Sequence, residues 1–253
     1  MNFIRILKAE FNKYLCEMRS YYPDHIVGLV VTYIFFIGFF VGLSKTGLGQ
    51  EYLHLGFIFW FFASTVISEG SISISFEKQT GTFEQLLLKP THILKILTAR
   101  TMVWFFITFI KVIILMFVVI ISLRISFPFD LRIIPIMLVT LSGLFGFGLI
   151  LSALTLIYTK TASFESIISY FLLFFTGGII SLEQLPGYVI KVADFLPLTI
   201  GIRLSMSILS GAQLPSSSIL GLFTNSGVYL LLGIVIFIYC HNYGKREGLS
   251  ADY

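Results

Sequence analysis

Charged side chains are scarce in this sequence. They make up 12% of its 253 residues, against roughly 25% in ordinary soluble domains. Hydrophobic residues make up 57%, more than a soluble fold of this length can hide. A polytopic membrane protein follows from that balance. Cysteine is scarce too. Cys16 and Cys240 are both expected near the cytosolic face as free thiols, which excludes a disulfide framework. The phosphate-cradling Walker loop, glycines followed by Gly-Lys-Ser/Thr, is missing. Lys45-Thr46 and Lys160-Thr161 are preceded by Ser44 and Thr159, so ATP is not bound by that device. His25, His54, His92 and His241 are scattered, without the His-Glu-x-x-His spacing of a zinc site. Ser142-Gly143 follows Thr140-Leu141 and Ser210-Gly211 follows Ile208-Leu209, so the Gly-x-Ser-Gly of an intramembrane serine protease is missing as well. No catalytic residue, metal or cofactor is expected within the chain. No cleavable signal peptide is expected, because Arg5, Lys8, Glu10, Lys13, Glu17 and Arg19 interrupt any apolar core near the start. The net charge of +4 does not imply nucleic-acid binding, since the basic residues are spread along the chain.

What is abundant is apolar sequence in long runs. The fold class expected is an all-α integral membrane protein with six transmembrane helices, at 26–43, 52–76, 101–123, 133–158, 166–182 and 219–239. Even the eighteen-residue first run gives about 27 Å of helix, enough for a hydrocarbon core. Ahead of it, residues 1–22 hold an amphipathic helix. Phe3, Ile4, Leu7, Phe11, Tyr14, Leu15 and Met18 share one face, and Arg5, Lys8, Asn12, Lys13, Glu17 and Arg19 fill the rest. Such a helix suits the headgroup region of an anionic leaflet or the surface of a protein partner. Residues 183–218 are too polar to span and too apolar to be a solvated loop. Pro197 divides them into two short amphipathic pieces that can dip into the outer leaflet and return. The whole of 1–253 reads as a single transmembrane domain, with no internal repeat or linker.

An even number of spans puts both termini on one side. Arg5, Lys8, Lys13, Arg19, Lys78, Lys89, Lys95, Arg100, Lys160, Lys245 and Arg246 then share the face of the termini. They outnumber Lys45, Arg124, Arg132, Lys191 and Arg203 opposite, so that face is expected to be cytosolic. Two ionisable residues remain inside spans. Glu69 lies about 12 Å before Glu77 and Lys111 about 16 Å past Arg100 along their helices. They can line a transport path or pair with each other, or Lys111 can snorkel. In the fourth span Ser142 and Gly146, and Gly148 and Ser152, sit at the spacing of close helix packing. That spacing is common by chance and carries little on its own.

Between the second and third spans lies a polar island, 76–90. It begins with Glu77-Lys78, turns at Gly81, opens a short helix at Thr82 and stops at Pro90. Thr82 and Gln85 can form a capping box. Phe83, Leu86 and Leu87 offer an apolar face, while Glu84 and Lys89 stay polar.

The run Glu77-Lys78, then Gly81-Thr82-x-Glu84-x-Leu86-Leu87, then Pro90, between two spans, resembles the ABC-2 permeases, the membrane subunits of type-2 ABC exporters. Gly177-Gly178-Ile179-Ile180-Ser181-Leu182-Glu183-Gln184-Leu185-Pro186, followed by Phe195-Leu196-Pro197-Leu198-Thr199 and Arg203, is similar to the daunorubicin-resistance-type branch. Members of that branch often carry a bulky residue and a proline where this chain has Ile179-Ile180-Ser181-Leu182. The resemblance implies that 77–90 is a coupling helix docking on a separate ATP-binding subunit. Glu77, Lys78, Gly81, Thr82, Phe83, Glu84, Leu87 and Pro90 would carry the coupling. It implies two such ATPase subunits, with ATP and Mg bound there, and a second permease, identical or homologous. It implies a plasma-membrane exporter of a drug, peptide or lipid-like amphipathic substrate. Glu69 and Lys111 would lie on the translocation path. Pro186, Pro197 and Arg203 would form an outer gate, unless Arg203 simply sits at the lipid headgroups. Two other classes stay open: an ATP-independent channel or ion-coupled carrier using Glu69 and Lys111, and a membrane immunity or sensor protein.

Overall fold

A computed structural model of the chain describes residues 3–46, 52–88, 91–124, 128–158, 162–212 and 215–247. They fold as helices throughout, with no strand among the described residues. The elements are α1 (Phe3–Ser20), α2 (Tyr22–Thr46), α3 (Leu53–Gln79), α4 (Phe83–Leu87), α5 (Ile93–Leu123), α6 (Ile133–Ile157), α7 (Ala162–Phe175), α8 (Gly187–Asp194), α9 (Pro197–Leu209) and α10 (Ser216–Glu247). Among the described residues five helices, α2, α3, α5, α6 and α10, are long and apolar enough to cross a membrane. The consecutive pair α8 and α9 is bent by 92°. This is an all-α integral membrane protein.

α3 and α6 form the centre. In α3 61% of the apolar window is buried and in α6 56%, against 6% in α2 at the periphery. Between them Phe59, Phe62, Val66 and Ile67 of α3 pack with Met137, Leu141, Leu144 and Leu151 of α6, and Leu198 and Ile202 of α9 close the cluster. Between lipid-soluble helices the hydrophobic effect gives no preference, so close approach at small residues decides who packs with whom. The small residues of α6 do this on two faces. Toward α10, Gly146 lies against the backbone of Tyr229 and Leu230, and Gly143 against Ser226. Toward α3, Gly148 lies against the Ile67 carbonyl and Ser152 against Gly70.

Several helix bounds differ from those expected. α2 begins at Tyr22 instead of 26, because Pro23 falls in its first turn, where a missing N–H costs nothing. α3 runs past 76 through Glu77 and Lys78 to Gln79, and α5 starts at Ile93 instead of 101. The helix expected over 166–182 is the shorter α7, about 21 Å long at 1.5 Å per residue. The chain leaves it before Gly177, whose φ is +80°, and Gly178 then packs directly on Gly56 of α3. A glycine pair permits that break, and the contact with α3 rewards it. In the segment expected to be re-entrant, Pro186 and Pro197 each stand at a helix start, opening α8 and α9.

Candidate functional site

The end of α3 is stopped by its own glycine. The N–H of Gly81 donates to the Lys78 carbonyl at 3.1 Å and that of Thr82 to the Glu77 carbonyl at 2.9 Å. With Gly81 at φ +70° this is a Schellman termination. An added Cβ at Gly81 meets nothing within 4 Å, so only the backbone conformation resists substitution. Gly81→Ala is therefore expected to lower stability by about 1–2 kcal/mol, with Gly81→Asn milder, read as the thermal midpoint of the purified protein.

Around this turn the buried charges are tied together. The Arg100 guanidinium of α5 donates from Nη2 to Glu77 Oε1 at 2.8 Å and from Nε to Glu10 Oε2 of α1 at 3.1 Å. Its Nη1 donates to the Ser73 hydroxyl. One side chain thus joins α1, α3 and α5. The second Glu77 oxygen accepts from the Thr82 hydroxyl. That replaces the expected capping box, since Thr82 turns back to α3 while Gln85 stays exposed. Lys78, 4% exposed, donates from Nζ to the Leu156 carbonyl at 2.6 Å. That carbonyl belongs to the last turn of α6, where backbone acceptors lack helical partners and a cation is favoured.

α4 is pinned from inside. Phe83 and Leu86 are buried with Ile74, Ile93, Leu97, Leu156 and Phe237, and Lys78 Nζ stands 5.8 Å from the Phe83 ring centre. The apolar face expected to be an anchor is therefore turned into this chain's own core. Gln85 and Leu88 are left outward, Leu88 85% exposed. Glu84 and Leu87 lie in α4, but their side chains, like Pro90, fall outside the described residues.

Glu69 and Lys111 do not meet. Thr108 donates to Thr65 across α3 and α5, which fixes the antiparallel register. Lys111 then lies level with Phe62, about 10 Å along the axis from Glu69. Its Nζ stands 5.5 Å from the Trp104 ring centre. Glu69 instead lines a cleft of about 410 Å3 with Tyr14, Ser73, Arg100 and Trp104. Tyr14 packs edge-on to Trp104 with ring centres 4.7 Å apart. Burial, then the charges of Glu17 and Glu69, push its phenol up to about 12, so the hydroxyl keeps its proton.

In the segment expected as an outer gate, Arg203 pairs with Asp194 at 2.5 Å, both partly exposed. It lines a second cleft of about 740 Å3 with Tyr52, Glu183 and Thr199. Arg100, Glu10, Ser73 and Tyr14 are not among the site residues that the sequence points to. The available signal was that Arg100 and Glu10 are ionisable residues on helices that otherwise bury apolar faces.

The profile of the ABC-2 type transporter family matches residues 1–210, and the chain belongs to that family. It is a transmembrane permease component of ABC transporters, a transport part and not a catalytic one, of the kind that works with an ATP-binding subunit. A search among curated proteins finds no match.

Proposed function

We propose that this chain is the permease of an ATP-driven exporter, of the daunorubicin-resistance type, moved through the α3–α5 turn. Two copies, identical or homologous, face each other in the plasma membrane with both termini cytosolic. Two ATP-binding subunits sit below and carry ATP and Mg. The observation that supports this most is the rigidity of the turn. Arg100 holds it to α1 and α5, Lys78 holds it to the end of α6, and Phe83 and Leu86 seat α4 in the same core. A push on α4 from a docked ATPase is then delivered to four helices at once, as a rigid body and not as a loop motion. The residues that would meet that partner are the exposed Gln85 and Leu88, together with Glu84, Leu87 and Pro90. Glu77, Lys78, Gly81, Thr82 and Phe83 transmit the push from within. The path between the two copies opens outward past α8 and α9, where Pro186 and Pro197 set the bend and Arg203 stands beside the outer cleft. The cargo is a drug, peptide or lipid-like amphiphile.

The test is reconstitution with the partner ATPase in vesicles. Glu84→Lys is expected to leave insertion and yield unchanged and to cut ATP-dependent transport about tenfold, the loss of one interface contact of roughly 1.4 kcal/mol. Normal transport by that variant would remove the coupling role of Glu84. Transport by this chain alone, without any nucleotide-binding partner, would overturn the exporter reading in favour of a channel or ion-coupled carrier.

A further inference from the structure

We infer that the cleft between α1, α2, α3 and α5 is a binding site for the ammonium headgroup of an amphiphile, received by the Glu69 carboxylate and the Tyr14 hydroxyl. Two independent features of the cleft point to a ligand. Glu69 is 91% buried as judged from its 9% exposure, and among the described residues its carboxylate takes no hydrogen bond and no ion pair. The hydroxyl of Tyr14, another lining residue, is buried with no hydrogen-bond partner among the described residues. A buried carboxylate at membrane depth is costly unless something pairs with it, and a buried hydroxyl without a partner adds to that cost.

The two permanent cations of the walls are already engaged: Arg100 is shared by Glu10 and Glu77, and Lys13 stands 3.9 Å from Glu17. In the lining the carboxyl groups of Glu10, Glu17, Asp24 and Glu69 outnumber Lys13 and Arg100 even with His25 added to them. The missing partner is therefore a cation with several donors. A primary ammonium fits: it can donate to Glu69 and to the Tyr14 oxygen together, whereas no set of three metal-ligating side chains gathers among the described residues and an anion would meet like charge. The rest of the wall says what the ammonium is attached to. Val103 and Trp104 line the cleft, and Ile72 and Phe76, 49% and 58% exposed, stand where it opens. An apolar tail leaving past them stays in hydrocarbon. A volume of about 410 Å3 holds a headgroup and the first part of a chain, within the usual range of small-molecule sites.

This deepens the exporter reading by naming a headgroup chemistry, but the site itself needs no ATPase. The test uses the full chain carrying Trp60→Phe, which leaves Trp104 as the one remaining tryptophan. Trp60 lies away from the cleft, hydrogen-bonded to Ser169. In phosphatidylcholine nanodiscs, without partner or nucleotide, dodecylammonium is expected to change Trp104 emission saturably. Glu69→Gln should raise the half-saturation concentration about tenfold or more, and Tyr14→Phe, which keeps the ring on Trp104, about threefold or more. Dodecanol and dodecyl sulfate should give no saturable change. Equal saturation by dodecanol, or indifference to both substitutions, overturns the site. If Glu69→Gln does not fold, Tyr14→Phe and the dodecanol comparison decide alone. Nanodiscs of phosphatidylethanolamine distinguish the source. A Glu69-dependent emission change without added amine makes the occupant a membrane lipid, and its absence makes it a diffusible amphiphile. Both support the ammonium site. Failure here leaves ATP-dependent transport untouched, and failure of coupling leaves binding untouched.

Discussion

Arg100→Met is expected to destabilise the protein by about 3–5 kcal/mol, the usual result of removing one member of a buried ionic network. The cause is not the lost attraction alone. Glu77 would remain buried and Glu10 partly buried, facing each other across the vacated space, with Ser73 left without its guanidinium donor. Removing the acids as well relieves this. The triple variant Arg100→Met, Glu10→Gln, Glu77→Gln is expected to recover most of the loss, since replacing all partners of a buried ionic group is often near neutral. Arg100→Lys should fall between: it keeps the charge but cannot reach three acceptors from one planar head. Thermal unfolding of the purified protein, monitored by retention of the monodisperse peak, reads all three. An Arg100→Met protein as stable as the parent would show that the network carries no structural weight. A folded Arg100→Lys protein that hydrolyses ATP with its partner but does not transport would place the network in coupling.

Gly146→Leu is expected to be at least as severe. A Cβ at Gly146 would overlap the Tyr229 carbonyl and the Leu230 Cα, and Gly233 lies against Gly146 from the other side of the same contact. Ordinary overpacking costs about 1–3 kcal/mol because side chains can shift. Here the obstacles are backbone, so α6 and α10 must move apart along their whole contact. The expected outcome is loss of folded material on purification and rapid proteolysis between the two helices. Gly227→Ala is the control. It sits on the same α10 with nothing within 4 Å of its added Cβ. It should be neutral or stabilising by up to about 1 kcal/mol through helix propensity. If Gly146→Leu folds normally, the α6–α10 contact does not have this geometry.

Membership in the ABC-2 type transporter family was legible from the island, because Gly81, Thr82 and the flanking acid–base pair are local. The glycine fits because one residue at φ +70° suffices to end α3. The capping box was misread for a local reason too. Thr82 had two acceptor-bearing neighbours within reach, Gln85 ahead and Glu77 behind. The Schellman turn folds the chain back so that Glu77 wins.

Other features were illegible in principle. Glu69 and Lys111 lie on adjacent antiparallel spans at similar depths from their helix ends, so pairing was reasonable. The register set by Thr65 and Thr108 slides them apart. Ser142, Gly146, Gly148 and Ser152 looked like chance spacing, yet α6 uses Gly143 and Gly146 against α10 and Gly148 and Ser152 against α3. The short α7 could not be told from a span, because Gly177-Gly178 leaves the helix only where Gly56 is there to receive it.

By itself the sequence determined how much of the chain belongs in a membrane, roughly where the long helices run, that α1 is amphipathic and that α3 ends at Gly81. These depend on quantities summed along a single segment: apolar length against bilayer thickness, face-to-face periodicity, one residue's backbone freedom. The tertiary structure alone decided that Arg100 serves two acids, that Lys78 closes the end of α6, that Glu69 and Tyr14 line one cleft and that α6 stands between α3 and α10. Those depend on how each helix is rotated and slid against its neighbours. In apolar surroundings that choice is made by close packing at a few small residues and by satisfying buried charge. Neither can be read until the partner helix is in place.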